Sequence, residues 1–195
     1  MEYVIIIKTK LSGDIMEIIN AIKTRRSIRA FTDEAVSADV ISKIVDVAAF
    51  APSWKNSQTT RYTAILDKDM KDKLAADCML GFEYNTNTVI GAPCVVVVST
   101  VNGRSGYERD GSPTTDKGTH WQSFDAGIAT QTFCLAAHEA GLGTVIMGIF
   151  DANRVAELIS LPEGQSISAL IALGYPAVDP DAPKRKTSQD LLTIK

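Results

Sequence analysis

Four consecutive valines, Val95 to Val98, stand inside the run "APCVVVVST". β-Branched side chains favour extended backbone, and a run without polar alternation suits a strand covered on both faces. The rest of the chain has to supply those covers. "RYTAIL" and "SISALIALGYP" read as further strands, and "GLGTVIMGIF" contains a strand-like run after two glycines. Helical spacing is found from Met16 onward, with Ile18, Ile19 and Ile22 at intervals of three and four. Ser37 is placed to cap a helix whose apolar stripe is Val40, Ile41, Ile44, Val45 and Ala48, and Pro52 stops it. "DKDMKDKLAADCM" reads as an amphipathic helix. "SFDAGIATQTFCLAAHEA" reads as a long helix of small residues that lets neighbours approach closely. Asp151 can cap "ANRVAELISL", which turns Val155, Leu158 and Ile159 inward. Strands and helices mix without strict alternation, so the expected fold is an α+β sandwich and not a doubly wound sheet.

The 195 residues, 45% of them hydrophobic, suit one domain. Gly13 and Asp14 break the pattern before Met16. Residues 1–15 are therefore expected to be an N-terminal extension, and 16–195 the single domain. The apolar run Tyr3–Ile7 is too short for a membrane span, which needs ~20 residues, and it lacks the build of a secretory signal. A cytoplasmic protein is expected. A formal net charge of -3 argues against a nucleic-acid binder, so any anion site must be local. Cys78, Cys94 and Cys134 are widely spaced and odd in number, which suggests reduced thiols. His120 and His138 have no ligand at metal spacing, so no metal site is expected, and His138 reads as structural. "VNGRSGYERDGSPTTDKGTH" reads as a loop. It is either a surface insertion or a lid over a site.

"GLGTVIMG" does not qualify as a dinucleotide fingerprint, because its glycines follow a helix and precede a strand. Gly141 and Gly143 read as helix C-caps. Walker A and GxSxG patterns are lacking. Two stretches point to chemistry. "RRSIRAF" concentrates Arg25, Arg26 and Arg29 beside Ser27 in an acidic chain. Arginines suit the negative end of a helix dipole, and they also suit phosphate through their rigid fork of donors. Were the helix to continue, Arg25 and Arg29 would share one face. "APSWKNSQTTRY" offers Ser53, Asn56, Ser57 and Gln58 beside Trp54, after Pro52. That is either a polar turn or a set of neutral donors and acceptors for a flat heterocycle. Lys184, Arg185 and Lys186 form a third basic patch in a proline-rich tail.

Taken in order, "IKTRRSIRAF", "AAFAPSWKNSQ", "DAGIATQ", "AGLGTVIMGIFD" and "ALGYP" resemble the nitroreductase family of FMN flavoproteins, over about Met16 to Lys186. The resemblance implies a central, mostly antiparallel sheet flanked by helices, in an intertwined homodimer with two FMN sites at the subunit interface. It implies that Arg25, Arg26, Ser27 and Arg29 hold the FMN phosphate and ribityl chain. Pro52, Ser53, Trp54, Asn56 and Gln58 map to the loop that meets the flavin. In the family its proline-serine part lies against the ring of the other subunit, while the asparagine meets the ring's polar edge. Ile146, Met147 and Gly148 map to the segment whose backbone faces the ring, and Arg185 or Lys186 to a basic position returning to the phosphate. The implied activity passes electrons from NADH or NADPH through flavin N5 to a nitroaromatic, quinone or similar acceptor. The flavin carries that chemistry, so no side chain is named as catalytic. The alternatives are another flavin reaction (dehalogenation, desaturation or flavin fragmentation) and a non-enzymatic FMN-binding protein. The chain departs from the family in two places. Gln58-Thr59-Thr60 stands where many members have Gln-Pro-Trp, and Met147 stands where some have glutamate. Both departures bear on the acceptor and neither touches the arginine motif.

Overall fold

The valine run is the second strand of a four-stranded sheet ordered β1-β2-β4-β3, with every neighbouring pair antiparallel. The strands are β1 (Thr60–Ile65), β2 (Cys94–Val101), β3 (Gly143–Met147) and β4 (Gln165–Gly174). The structure is a computed structural model that describes residues 18–195. The expected extension at 1–15, its apolar run and the helix start at Met16 lie outside those residues.

Val95 and Val97 point into one core, with Leu74, Val89, Val155, Leu170 and Ala172. Val96 and Val98 point into the other, with Ile44, Phe133, Ile171 and Leu173. The period-2 alternation of a strand therefore feeds both sides, and all four valines are fully buried. The first core is covered by α3 (Lys68–Asp77), α4 (Glu83–Gly91) and α6 (Ala152–Leu158). The second is covered by α2 (Ala38–Ala48) and α5 (His120–Glu139). This is the α+β sandwich expected from the sequence.

The helix signals work locally as read. Ser37 Oγ accepts from Val40 N at 3.3 Å, and Asp151 Oδ1 accepts from Asn153 N and Arg154 N. Three details differ from expectation. First, α1 (Ile18–Thr24) stops before the arginines, so no helical face joins Arg25 to Arg29. The chain leaves the helix because Ile28 N donates to Thr144 O at 2.9 Å and Ser27 pairs with Thr144 in a parallel bridge. An edge-strand bond thus replaces the next helical one.

Second, Gly141 caps α5 at φ +79, but Gly143 opens β3. A Cβ on Gly143 would sit 2.7 Å from Ile28, so the bare backbone is what lets the arginine segment lie along the sheet edge. Third, α4 carries too little apolar periodicity to be read in advance. Its buried face includes Asn85 and Thr88 beside Val89. A seventh, short helix, α7 (Ser188–Leu191), lies in the exposed tail.

Candidate functional site

At the end of α1 the last carbonyls need donors, and Arg26 supplies them. Its Nη1 donates to Lys23 O at 2.7 Å and to Arg25 O at 3.0 Å. The helix-end role weighed for this motif is thus taken by Arg26. Arg29 lies with its guanidinium 5.5 Å from the centre of the Tyr84 ring of α4. It donates to Ser27 O at 3.4 Å.

Arg25 stands on the α5 side. Burial lowers the His138 pKa first, and Arg25 lowers it further. His138 Nε2 lies 2.8 Å from Thr24 Oγ1, which ties the end of α5 to the end of α1. This contact fits the structural reading of His138. Burial also pushes the Cys134 thiol up, so it is a protonated core residue at neutral pH.

The arginine segment meets β3 at Thr144. Along β3, Val145 and Met147 are buried while Ile146 is 48% exposed. Met147 therefore gives its side chain to the core and offers only backbone to a ligand. Gly148 is exposed, and a Cβ there would meet nothing within 4 Å, so the backbone after β3 opens onto free space. Asn85, a buried amide that the sequence reading missed, donates to Ile149 O at 3.1 Å and holds this turn in place. A cavity of about 310 Å³ adjoins Ile146, between α5 (Gln122, Ala126, Gly127) and the ends of β2 and β4 (Thr100, Ser166).

The second group is the Trp54 turn. Lys55, Asn56 and Gln58 all have left-handed backbone, with φ of 45, 55 and 47. For non-glycine residues that conformation costs energy and needs outside support. The support is Asp125 of α5, which is 3% exposed. Its Oδ2 accepts from Trp54 N at 2.9 Å and from Ser105 Oγ at 2.5 Å. Ser105 Oγ in turn lies 3.2 Å from Ser57 Oγ and 3.3 Å from Thr59 Oγ1. Ser53 Oγ accepts from Gln58 N, and Gln58 Nε2 donates to Asn56 Oδ1.

Trp54 packs on Trp121 with ring centres 4.9 Å apart, and its buried Nε1 has no partner among the described residues. The 102–119 loop closes over this turn. Lys55 pairs with Glu108 at 3.2 Å, and Thr114 Oγ1 bonds Glu108 at 2.7 Å. The Thr114 bond first, and Lys55 second, hold the Glu108 carboxyl below its ordinary range. Asp125 and Ser105 were not foreseen, because a lone acidic residue in a helix and a serine in a loop carry no periodic signal.

The structure thus gathers the expected residues into separate groups. Arg25, Arg26, Ser27 and Arg29 flank the Ser27–Thr144 bridge near the start of β3, the strand that leads on to Ile146 and Gly148. Ser53, Trp54, Asn56 and Gln58 stand against Asp125 and the 102–119 loop. Arg185 and Lys186 lie in the exposed tail, where Arg185 Nη1 donates to Pro183 O. No contact among the described residues brings that tail to the arginines of the first group.

A model of the nitroreductase family matches residues 22–88 and 83–175. A Methanothermobacter thermautotrophicus protein, provisionally named an NADH dehydrogenase/NAD(P)H nitroreductase, is 32% identical over 169 residues, covering 85% of this chain and 80% of its own. An FMN reductase [NAD(P)H] of Bacillus subtilis is 28% identical, covering 89% and 71%. A crystal structure of a nitroreductase family protein from Clostridium novyi superposes with a TM-score of 0.71 at 27% identity, covering 85% and 89%.

Proposed function

The chain belongs to the nitroreductase family, and from that premise we propose that it is an FMN-dependent oxidoreductase. It would work as a homodimer that passes electrons from NADH or NADPH to a nitroaromatic, quinone or similar small acceptor. The observation that carries the reading is one juxtaposition. A strip with three arginines and a serine is bonded to Thr144 near the start of β3, and the same strand leads on to the open backbone at Gly148.

The residues fit the cofactor. FMN has a phosphate at one end and a flat ring with carbonyl and N–H groups at the other. Arg25, Ser27 and Arg29 match the phosphate and ribityl end, in a chain whose net charge of -3 gives no general attraction for anions. Each charge-assisted bond there contributes about 1.5–3 kcal/mol. Arg26 is partly committed to the α1 carbonyls and contributes chiefly charge. The free backbone at Ile146–Gly148 suits the ring. When bound, FMN supplies the two-electron chemistry.

The chain's own residues bind and orient. Ile28, seated on Gly143, fixes the arginine strip against the sheet. Asn85 holds the turn after β3. Asp125 keeps the Trp54 turn in its strained form, with Asn56 and Gln58 presented together. In this reading the Trp54 turn, separate from the arginine strip in one chain, serves the flavin of the other subunit. The exposed Ile18, Ile19 and Ile22 of α1, with Val47, Phe50 and Phe124, supply the apolar surface that such a dimer needs.

The test is spectroscopic. Purified protein is expected to be yellow. NADH or NADPH should bleach it without oxygen, and menadione or a nitroaromatic should restore the colour. A protein that is purified colourless and fails to bind added FMN overturns the proposal. One that is yellow but not bleached is a flavin binder and not this enzyme.

A further inference from the structure

A second cavity, of about 630 Å³, lies between the Trp54 turn and the 103–111 stretch. That is the size of a small-molecule site. Its charged lining is Lys55, Arg104 and Arg109 against Glu108. Glu108 is already paired with Lys55. Arg104 and Arg109 have no ion pair and no side-chain hydrogen bond among the described residues. Three cations against one carboxylate leave two positive charges facing an open cavity, in a chain of net charge -3.

The other lining is aromatic. Trp54 and Tyr107 stand on opposite sides of the sequence gap that the cavity spans. Trp54 also holds a buried Nε1 donor with no hydrogen-bond partner among the described residues. The walls are built in advance. The Trp54 turn keeps its left-handed backbone because Asp125 and Ser105 hold it from below. The facing loop is seated by Gly106, where a Cβ would strike Trp121 at 2.7 Å.

We propose that this cavity is the acceptor's subsite and selects flat aromatic acids over neutral analogues, with Arg104 and Arg109 receiving the carboxylate. The guanidinium fork matches a carboxylate's two oxygens, and an aromatic face suits the attached ring. The inference rests on the reading of the chain as a flavin oxidoreductase whose Trp54 turn borders the flavin. It goes further by fixing the acceptor's charge. Reduction of 4-nitrobenzoate consumes one hydride equivalent from NADH, which is two electrons and a proton and leaves NAD+, together with one proton from solvent. It yields the nitroso acid and water, and the carboxylate is unchanged.

The experiment compares 4-nitrobenzoate with 4-nitrobenzamide, a neutral analogue of the same shape, on the purified holoprotein with NADH. In the wild type the acid is expected to have a kcat/KM about tenfold higher, the size that two exposed ion pairs together supply. In the Arg104→Gln/Arg109→Gln double variant the two should come to parity. A wild type without charge preference, or a variant that keeps it, overturns the proposal. So does a variant that changes only the ratio of NADPH to NADH use, because the arginines would then serve the donor's phosphate.

A second measurement separates this inference from the functional reading. Benzoate binding is followed by quenching of tryptophan fluorescence at low and at 0.5 M salt. Arginine-dependent, salt-sensitive quenching in a protein that does not turn over upholds the anion subsite and overturns the oxidoreductase. Turnover of both acceptors, with no such quenching, overturns the subsite alone.

Discussion

Removing the carboxylate of Asp125 isolates what holds the Trp54 turn. In Asp125→Ala, two bonds to a buried charge disappear, one from Trp54 N and one from Ser105 Oγ. At about 1.5–3 kcal/mol each, the pair is worth about 3–6 kcal/mol. The loss is partly offset. Ser105 keeps Ser57 and Thr59 as neighbours, and a freed turn can relax the left-handed Lys55 and Gln58, which cost about 1 kcal/mol each. The expected net loss is about 1–4 kcal/mol, a large share of a typical domain's 5–15 kcal/mol. Asp125→Asn keeps an acceptor oxygen and loses only the charge assistance, so about 1–2 kcal/mol is expected. Urea unfolding gives the stability change. Tryptophan fluorescence and near-UV circular dichroism report the Trp54–Trp121 pair, 4.9 Å apart. The Asn variant should also raise the acceptor KM more than it lowers flavin content. An Asp125→Ala protein within about 0.5 kcal/mol of wild type, with unchanged near-UV signal, refutes the reasoning.

Other outcomes follow from the same geometry. Arg25→Ala/Arg29→Ala should lose FMN during purification while its circular dichroism stays native, because neither side chain belongs to the core; retention of FMN at wild-type affinity contradicts the assignment. Gly143→Val places atoms where Ile28 lies 2.7 Å away. It should cost about 1–3 kcal/mol in urea unfolding and lower FMN affinity by displacing the arginine strip. His138 has a folded pKa below the ordinary histidine value of about 6.5, so near that pH the unfolded chain binds more protons. The stabilisation is present above about pH 6.5 and is lost as pH falls from there to the folded pKa. His138→Gln should flatten stability over that window, as read by thermal melts at several pH values; an unchanged slope contradicts the account.

Much of this fold is legible because its signals are local. The valine run, the Ser37 and Asp151 caps and the small-residue helix each depend on neighbours in sequence, and each folds as its residues suggest. α4 is not legible, because Asn85 is buried for a bond to Ile149 O. Only the folded chain supplies that partner. The same reason hides the end of α1. "KTRRS" has no residue that forbids helix, and the stop comes from Thr144, more than a hundred residues away. The arginine strip and the Trp54 turn stand out by composition, whereas Asp125, Ser105 and Tyr84 gain meaning only from what they touch.

The central claim is that the Arg25–Arg29 strip grips a phosphate. The most direct measurement titrates flavin-free protein with FMN and, separately, with riboflavin, which has the same ring and no phosphate. FMN is expected to bind at least about a hundredfold more tightly, the equivalent of one or two charge-assisted bonds. The difference should collapse in Arg25→Ala/Arg29→Ala. Equal affinity for the two flavins in the wild type would contradict the account.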